Sequence, residues 1–424
     1  MVRTLKDSGV EWIGDIPKDW EVIKVKRKYR NYKEKVGNKV DEFERLALTL
    51  NGVIKRSKED STGLQPEKFE GYQILRKNEL VFKLIDLENV RTSRVGLSNY
   101  EGIVSPAYIK LNNPKESRFG YYYFISMWYQ EIFNGLADDG VRSNLNADDL
   151  LNLPYLDLPY DEQKKIVDFL DEKITHIDSI IEKTKQSIEE FNKYKQALIT
   201  ETVNKGLNLD VEMKHSGIEL IGEMPEHWEV CRLKYLLEFE PPKSEVSEKN
   251  INCTFLPMEK LRTGKMNVDT EALVEDVYSG YSYFKEKDIV LAKVTPCFEN
   301  GNIAIAENLT NGIGFGTTEI FTIRPQKINT KFLFYRLQEQ TFKEKGKSTM
   351  YGVGGLKRVP GSFITNYKIG VPSPEEQQQI VDYLDEKTTH IEHLIENKES
   401  MISQLEEYKK SMIYEYVTGK KEVE

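Results

Sequence analysis

With 424 residues, 39% hydrophobic and 30% charged, the chain can form two ordinary domains joined by charged helices. Its first residues, MVRTLKDSGVEWIG, hold no apolar signal core and no stretch reaches membrane-span length, so no membrane partner and a cytoplasmic location are expected. Three cysteines, Cys231, Cys253 and Cys297, without a C-x-x-C pair, argue against a disulfide framework or a zinc ribbon. The net charge of −9 is carried wholly by segments 160–205 (−2) and 374–424 (−7), so bulk charge does not exclude a nucleic-acid partner for the rest.

In chain order, residues 8–22 read SGVEWIGDIPKDWEV, and a basic run, KVKRKYRNYKEKVGNK, follows at 24–39 with eight Lys or Arg in sixteen residues. Strand-like runs lie at 20–27, 79–85 and 107–111, followed by an aromatic helix at 119–136 and a Gly-containing basic loop, GVRSNL, at 140–145. Next comes EQKKIVDFLDEKITHI at 162–177. The positions 174, 177, 181, 184, 188, 191, 195 and 198 then alternate steps of three and four, the heptad seam of a coiled coil, occupied by Ile174, Ile177, Ile181, Ile188, Phe191 and Leu198 with Thr184 and Lys195 as polar breaks. Residues 216–230, SGIELIGEMPEHWEV, repeat the opening motif 208 residues later. Strands follow at 288–294, 302–306 and 319–325, then a helix at 330–345 and a Gly-rich basic loop, YGVGGLKR, at 351–358. EQQQIVDYLDEKTTHI at 376–391 repeats the earlier helix 214 residues on, and its seam carries Ile391, Ile395, Ile402, Leu405 and Met412. Five of the eight seam positions are apolar in both copies, and neither 161–205 nor 375–418 contains Gly or Pro.

A repeat of this length means two similar domains and not a solenoid. The chain therefore reads as mixed α/β (α+β): a first domain at 1–158, a helix and linker at 159–210, a second domain at 211–373 and a terminal helix at 374–424. Two helices with matching seams in one chain are expected to pack on each other; the competing arrangement lays each helix on its own domain. At about 1.5 Å per residue, 40 helical residues span about 60 Å.

Candidate chemistry is sparse. Asn152-Leu153-Pro154-Tyr155 resembles the amine-cradling N-P-P-Y motif of amino-methyltransferases but lacks one proline, and no methyl-donor loop accompanies it. Tyr351-Gly-Val-Gly-Gly-Leu-Lys357 fits neither dinucleotide nor P-loop spacing. His390 and His393 share a helix face without further ligands, so no metal site is expected. No catalytic set emerges.

The ordered, twice-repeated motifs SG(V/I)E-x-IG-x-(I/M)P-x-x-WEV and EQ-x-x-IVD-(F/Y)LDEK, with the linker 203–230, VTPCFENGNIAI and the ending YEYVTGKKEVE, resemble the specificity (S) subunit of type I restriction–modification systems. The resemblance covers the whole chain. It implies two target-recognition domains, each reading one half of a bipartite site in double-stranded DNA, and two helices that form an antiparallel coiled coil in a pseudo-two-fold scaffold, set the half-site spacing and dock two methyltransferase subunits. S-adenosylmethionine would reside on those methyltransferase (M) subunits, and ATP and Mg on restriction/translocase (R) subunits, with no cofactor and no catalysis in this chain. Under this resemblance the expected DNA contacts are, first, Arg142 and Asn144 in one domain and Lys357 and Arg358 in the other. Lys83, Arg91 and Arg94, with Lys293, Thr295 and Asn300, come next. Ser105 and Tyr108, with Thr317 and Thr318, form a third pair of loops. A coiled-coil adaptor that reads no DNA, or a fused methyltransferase-type enzyme, are the alternatives.

Overall fold

Two uninterrupted helices carry the repeated segments, Tyr160–Lys205 and Pro374–Val417. Neither contains a glycine, and Pro374 sits at the first position, where its missing N–H leaves no bond unmade. Carboxylates fill both first turns, Asp161 and Glu162 in one and Glu375 and Glu376 in the other, at the positive end of the helix dipole. Gly206 and Gly419 follow the last turns at φ +75° and +71°, the left-handed conformation that ends a helix. The computed structural model describes residues 4–50, 52–60, 68–85, 94–113, 115–136, 144–208, 210–218, 222–352 and 355–423. The chain divides into two compact units, residues 1–184 with 399–424, and residues 185–398. That division falls inside the long helices, whereas the sequence puts its borders at the helix ends.

In the first unit the chain enters a domain through Glu21–Lys24 and leaves through Pro154–Asp157, paired antiparallel with Tyr155 opposite Ile23. One sheet inside runs in the order Gly52–Arg56, Arg45–Thr49, Gly102–Val104, Gln73–Leu75, and a second in the order Ile109–Leu111, Leu80–Lys83, Arg94–Leu97. Helix Ser117–Tyr129 buries Phe119, Tyr122, Tyr123 and Phe124 against the second of these sheets. Gly120 is required here, because a Cβ would stand 2.1 Å from the Tyr29 hydroxyl. Tyr29 in turn shares a buried 3.0 Å hydrogen bond with Tyr155. Ile166, Val167, Leu170, Ile177 and Ile181 of the first long helix join this core together with Met412, Ile413 and Val417 of the second. The Phe169 ring lies 4.5 Å from that of Tyr416, tilted by 38°, and Lys409 Nζ lies 2.7 Å from Asp178 Oδ1. Numbers rise on one helix as they fall on the other, so the pairing is antiparallel.

The second unit repeats the plan. Glu229–Arg232 pairs with Lys368–Val371, enclosing two four-stranded sheets. Their orders are Leu237–Phe239, Ile320–Pro325, Ile289–Ala292, Ile303–Ile305, and Glu271–Leu273, Asn252–Leu256, Ile313–Gly316, Ser282–Lys285. One parallel pairing occurs in the corresponding sheet of each unit, Arg45 with Ile103 and Asn252–Leu256 with Ile313–Gly316. The helix expected at 330–345 is two helices, Thr330–Arg336 and Gln340–Ser348. The break turns the buried Glu339 carboxylate onto Arg336 (3.0 Å) and onto Asn204 of the long helix (2.9 Å). Lys195 Nζ meets Glu392 at 3.2 Å and Lys398 Nζ lies 5.7 Å from the Phe191 ring, so here too the long helices run antiparallel.

Both expected arrangements of the long helices therefore coexist: their first turns lie on a domain and the following turns pair. Ile177, Ile181, Ile391, Ile395 and Met412 are buried, while Ile174, Ile188, Phe191, Leu198, Ile402 and Leu405 are half-buried. Buried Thr184 and Thr388 satisfy their hydroxyls on the carbonyls of Ile180 and Leu384, which explains polar seam positions without buried orphans.

The repeated letters form joints. Trp20 Nε1 donates to Glu162 at 3.0 Å and Trp228 Nε1 donates to Glu376 at 3.1 Å, both indoles being fully buried. Gln163 and Gln377 donate to the carbonyls of Leu158 and Pro372. Tyr122 donates to Asp171 at 2.6 Å, as Tyr335 does to Asp385 at 2.7 Å.

Candidate nucleic-acid interface

The second unit shows how its candidate loops are built. Strand Ile289–Ala292 ends at Lys293, whose N–H donates to the carbonyl of Glu319 and whose carbonyl accepts from Val359, both at 2.9 Å. Thr295 then fastens the loop before the long helix: its N–H donates to the Lys357 carbonyl, and its hydroxyl donates to the Gly355 carbonyl at 2.6 Å and accepts from the Lys357 N–H at 3.0 Å. Lys293, Thr295, Thr317, Thr318, Lys357 and Arg358 thus gather where two strand ends and one loop meet. Lys293 and Thr318 also line a cleft of about 450 Å³ with Glu240, Lys243 and Tyr281.

Their side chains are not equally available. Lys357 and Thr318 are exposed, whereas Thr295 and Thr317 are half-buried and support backbone. Arg358 clamps Glu319 with two guanidinium nitrogens, Nε at 2.9 Å from Oε2, and this bond holds the Glu319 carboxyl below its usual range. Asn300 is exposed but belongs to a neighbouring turn, its carbonyl accepting from Thr263 at 3.1 Å.

The first unit places the equivalent positions alike. Lys83 ends strand Leu80–Lys83 opposite Arg94, and Leu145 N–H donates to the Leu84 carbonyl, which brings exposed Asn144 to the same strand end. Ser105 and Tyr108 follow the strand with the parallel pairing, as Thr317 and Thr318 do in the other unit. Buried Gln73 holds that turn by donating to the carbonyls of Ser105 (3.0 Å) and Tyr108 (2.6 Å). Arg91 and Arg142 lie outside the described residues, as does the side chain of Arg94.

Electrostatics inside the domains were not legible as a site. In the first unit Lys110 is buried with its ammonium 3.5 Å from Glu79 and bonded to the carbonyl of Ile74; burial lowers its pKa. In the second, Arg324 makes paired bonds to Asp288 at 2.8 and 2.9 Å and reaches Glu245 at 2.7 Å. Burial opposes the Arg324 charge, but the carboxylates outweigh it and raise its pKa. The basic run at 24–39 is partly structural as well. Lys28 bonds both Asp157 (2.6 Å) and Glu116 (3.2 Å), which raise its pKa against the opposing effect of burial.

Of the sparse catalytic candidates, Tyr155 is core and Pro154 opens the exit strand. His390 and His393 are exposed. Among the described residues no group of three or more His, Cys, Asp or Glu could hold a metal, and no helix is long and apolar enough to cross a membrane.

Residues 225–406 match the family described as Type I restriction modification DNA specificity domain. The type I restriction enzyme EcoAI specificity subunit of Escherichia coli is 40% identical over 164 residues, 38% of this chain and 28% of that protein. The chain thus spans about a quarter of the length of the first such relatives. The MjaVIII specificity subunit of Methanocaldococcus jannaschii is 28% identical over 398 residues, 90% of this chain and 88% of that one. A chain from a structure describing complex assembly and conformational transition of the type I R-M system has the same fold, with TM-score 0.67 and 14% identity over 95% of this chain and 98% of that chain.

Proposed function

We propose that the chain is a type I restriction–modification specificity subunit, like the proteins it resembles over 225–406 and over 398 residues, and that it reads DNA for such a complex. Domains 1–158 and 211–373 each read one half of an interrupted site in double-stranded DNA. The helical segments 159–210 and 374–424 set the half-site spacing and dock two methyltransferase subunits; restriction/translocase subunits join the complex, which works in the cytoplasm. The methyl donor S-adenosylmethionine belongs to the methyltransferase subunits and ATP with Mg to the restriction subunits, so this chain catalyses nothing.

One observation carries the reading. The two units share their joints residue for residue, Trp20–Glu162 with Trp228–Glu376 and Tyr122–Asp171 with Tyr335–Asp385, yet their equivalent loops carry unlike side chains, Asn144 against Lys357 and Ser105 and Tyr108 against Thr317 and Thr318. Common joints with unlike loops are what two readers of different sequences on one scaffold require, since phosphate contacts set register and a few loop side chains choose bases.

Replacing 231–373 with the corresponding domain of another family member, in the chain assembled with its methyltransferase subunits, is the test. Methylome sequencing should show one half of the site changed and the other half and the spacing kept. A change in both halves together overturns the two-reader reading. Failure of the full chain to bind duplex DNA with a steep salt dependence favours the adaptor alternative.

A further inference from the structure

Two side chains in the second unit stand in water on a loop whose base is tied down by several hydrogen bonds. Tyr351 is 61% exposed and Leu356 is 55% exposed, although both are large and apolar. They sit on the two arms of a finger. Tyr351 N–H donates to the Arg358 carbonyl at 3.1 Å, and Arg358 N–H donates to the Tyr351 carbonyl at 2.8 Å, closing one antiparallel rung. The arms touch at backbone distance: a Cβ on Gly352, which sits at φ +135°, would lie 2.4 Å from the Leu356 carbonyl oxygen.

The base of the finger is fixed on three sides. Thr295 bonds Gly355 and Lys357 from the end of one strand, Val294 bridges Arg358, and the Arg358 guanidinium is clamped by Glu319 from the next turn. Two of the Arg358 guanidinium nitrogens are thereby engaged by a carboxylate. Exposed Lys357 stands beside Leu356, and Lys293 borders the same strand end.

Resting on the DNA-reading function proposed above, we propose that this finger is an apolar reader of the second half-site. Lys357 holds a phosphate, and Leu356 with Tyr351 packs against base edges in the groove, where a thymine methyl is the apolar feature such side chains recognise. A cation beside exposed hydrophobic groups fits a duplex, whose charged backbone runs alongside a major groove that displays thymine methyl groups. Arg358 and Glu319 are positioning residues that fix the base carrying Tyr351 and Leu356 and touch no base pair.

The experiment uses the full chain assembled with its methyltransferase subunits and duplexes carrying the methylated site. Leu356→Ser should relax discrimination at one or two positions of the second half-site by about tenfold, leaving the first half-site and the salt slope unchanged. Lys357→Ala should instead weaken all sequences and reduce the salt slope by about 0.9. Gly352→Ala, which forces the arms apart, should reproduce the Leu356→Ser pattern, and Arg358→Lys should retain more discrimination than Arg358→Ala. Since Leu356 and Tyr351 are exposed, their replacement leaves folding intact. Methylation of the unaltered bipartite motif at full rate by the Leu356→Ser and Tyr351→Ala variants overturns the finger alone. Absence of any sequence-specific methylation with the unsubstituted chain overturns the DNA-reading function itself.

Discussion

The two units solve one problem with different residues in their interiors and with the same residues at their joints. Each domain buries a carboxylate just before a central strand, after a positive-φ residue: Glu79 after Asn78 (φ 65°), and Asp288 after Lys287 (φ 69°). Each carboxylate accepts a backbone N–H from three residues earlier, Arg76 or Lys285, at 2.9 Å. From there they diverge. Glu79 is shared among Lys110, Tyr32 and Asn112, whereas Asp288 is answered by the paired bonds of Arg324. A buried charge needs only some partner of opposite sign or good hydrogen-bonding geometry, so the letters are free to change. The joint between an indole N–H and a glutamate needs that donor, at that reach, on both sides, so Trp and Glu recur.

The comparison breaks most sharply at the buried charges. Arg324→Met leaves Asp288 with its backbone bond and no cation, and removing one partner of such a pair costs about 3–5 kcal/mol. Lys110→Met removes an ammonium that burial already disfavours and leaves Glu79 its bonds from Tyr32, Asn112 and the Arg76 N–H, so the cost should be about 1 kcal/mol. Hydrogen exchange over Ile289–Ala292 in one variant and Leu80–Lys83 in the other measures both; equal losses would mean the two clusters are energetically alike. Along the seam, Ile181→Asp places a carboxylate at a 7% exposed site and should cost roughly 3 kcal/mol. Ile188→Asp, at a half-buried site, should cost clearly less because that carboxylate can turn toward water. Urea unfolding of the two variants orders them.

Much of the scaffold could be read from letters because both ends of each joint repeat: the WEV tryptophan and the EQ glutamate are visible twice, and the heptad spacing marks most of the interhelical face. The positions of the candidate loops were also legible, since element order is kept, and Leu145–Leu84 and Val359–Lys293 tie the pre-helix loop to a strand end in each unit. What could not be read is which loop cations are already spent. Arg358 looks like a DNA contact in a basic Gly-rich loop, but its partner Glu319 lies 39 residues away and only folding brings them together. Arg324 and Lys110 sit in short strands where a charge argues for a solvent face, yet both are buried with partners from other segments. The break after Arg336 was hidden for the same reason, because Glu339 turns inward to meet Asn204 of a distant helix.

Smaller effects test whether the joints are as alike as their geometry. Trp20→Phe and Trp228→Phe keep most of the buried ring but lose a hydrogen bond to a carboxylate, so each should cost about 1.5–3 kcal/mol and by similar amounts. A difference beyond about 1 kcal/mol in denaturant unfolding would show that flanking contacts, such as His227 on Glu376 at 2.9 Å, set the strength of the joint.

The weakest expected effects belong to the ionic rungs of the paired helices, Asp178–Lys409 in one unit and Lys195–Glu392 in the other. Both lysines are mostly covered, at 20% and 24% side-chain exposure, but their partners are about half exposed. Water and salt therefore screen the pairs, and each contributes about 0.2–1 kcal/mol. Lys195→Met keeps an apolar stem on the seam while removing the charge, so thermal stability should change by less than about 1 kcal/mol and its dependence on salt should flatten. The polar break does more for register than for energy, since a lysine at a seam position fits where a carboxylate faces it and fits badly elsewhere. Lys195→Met with Lys409→Met should thus fold with near-normal stability but tolerate a shifted helix pairing, read out by cysteine crosslinking across the seam. A stability loss above about 2 kcal/mol, or crosslinking confined to the original register, would assign the register to the apolar seam and to the domain joints instead.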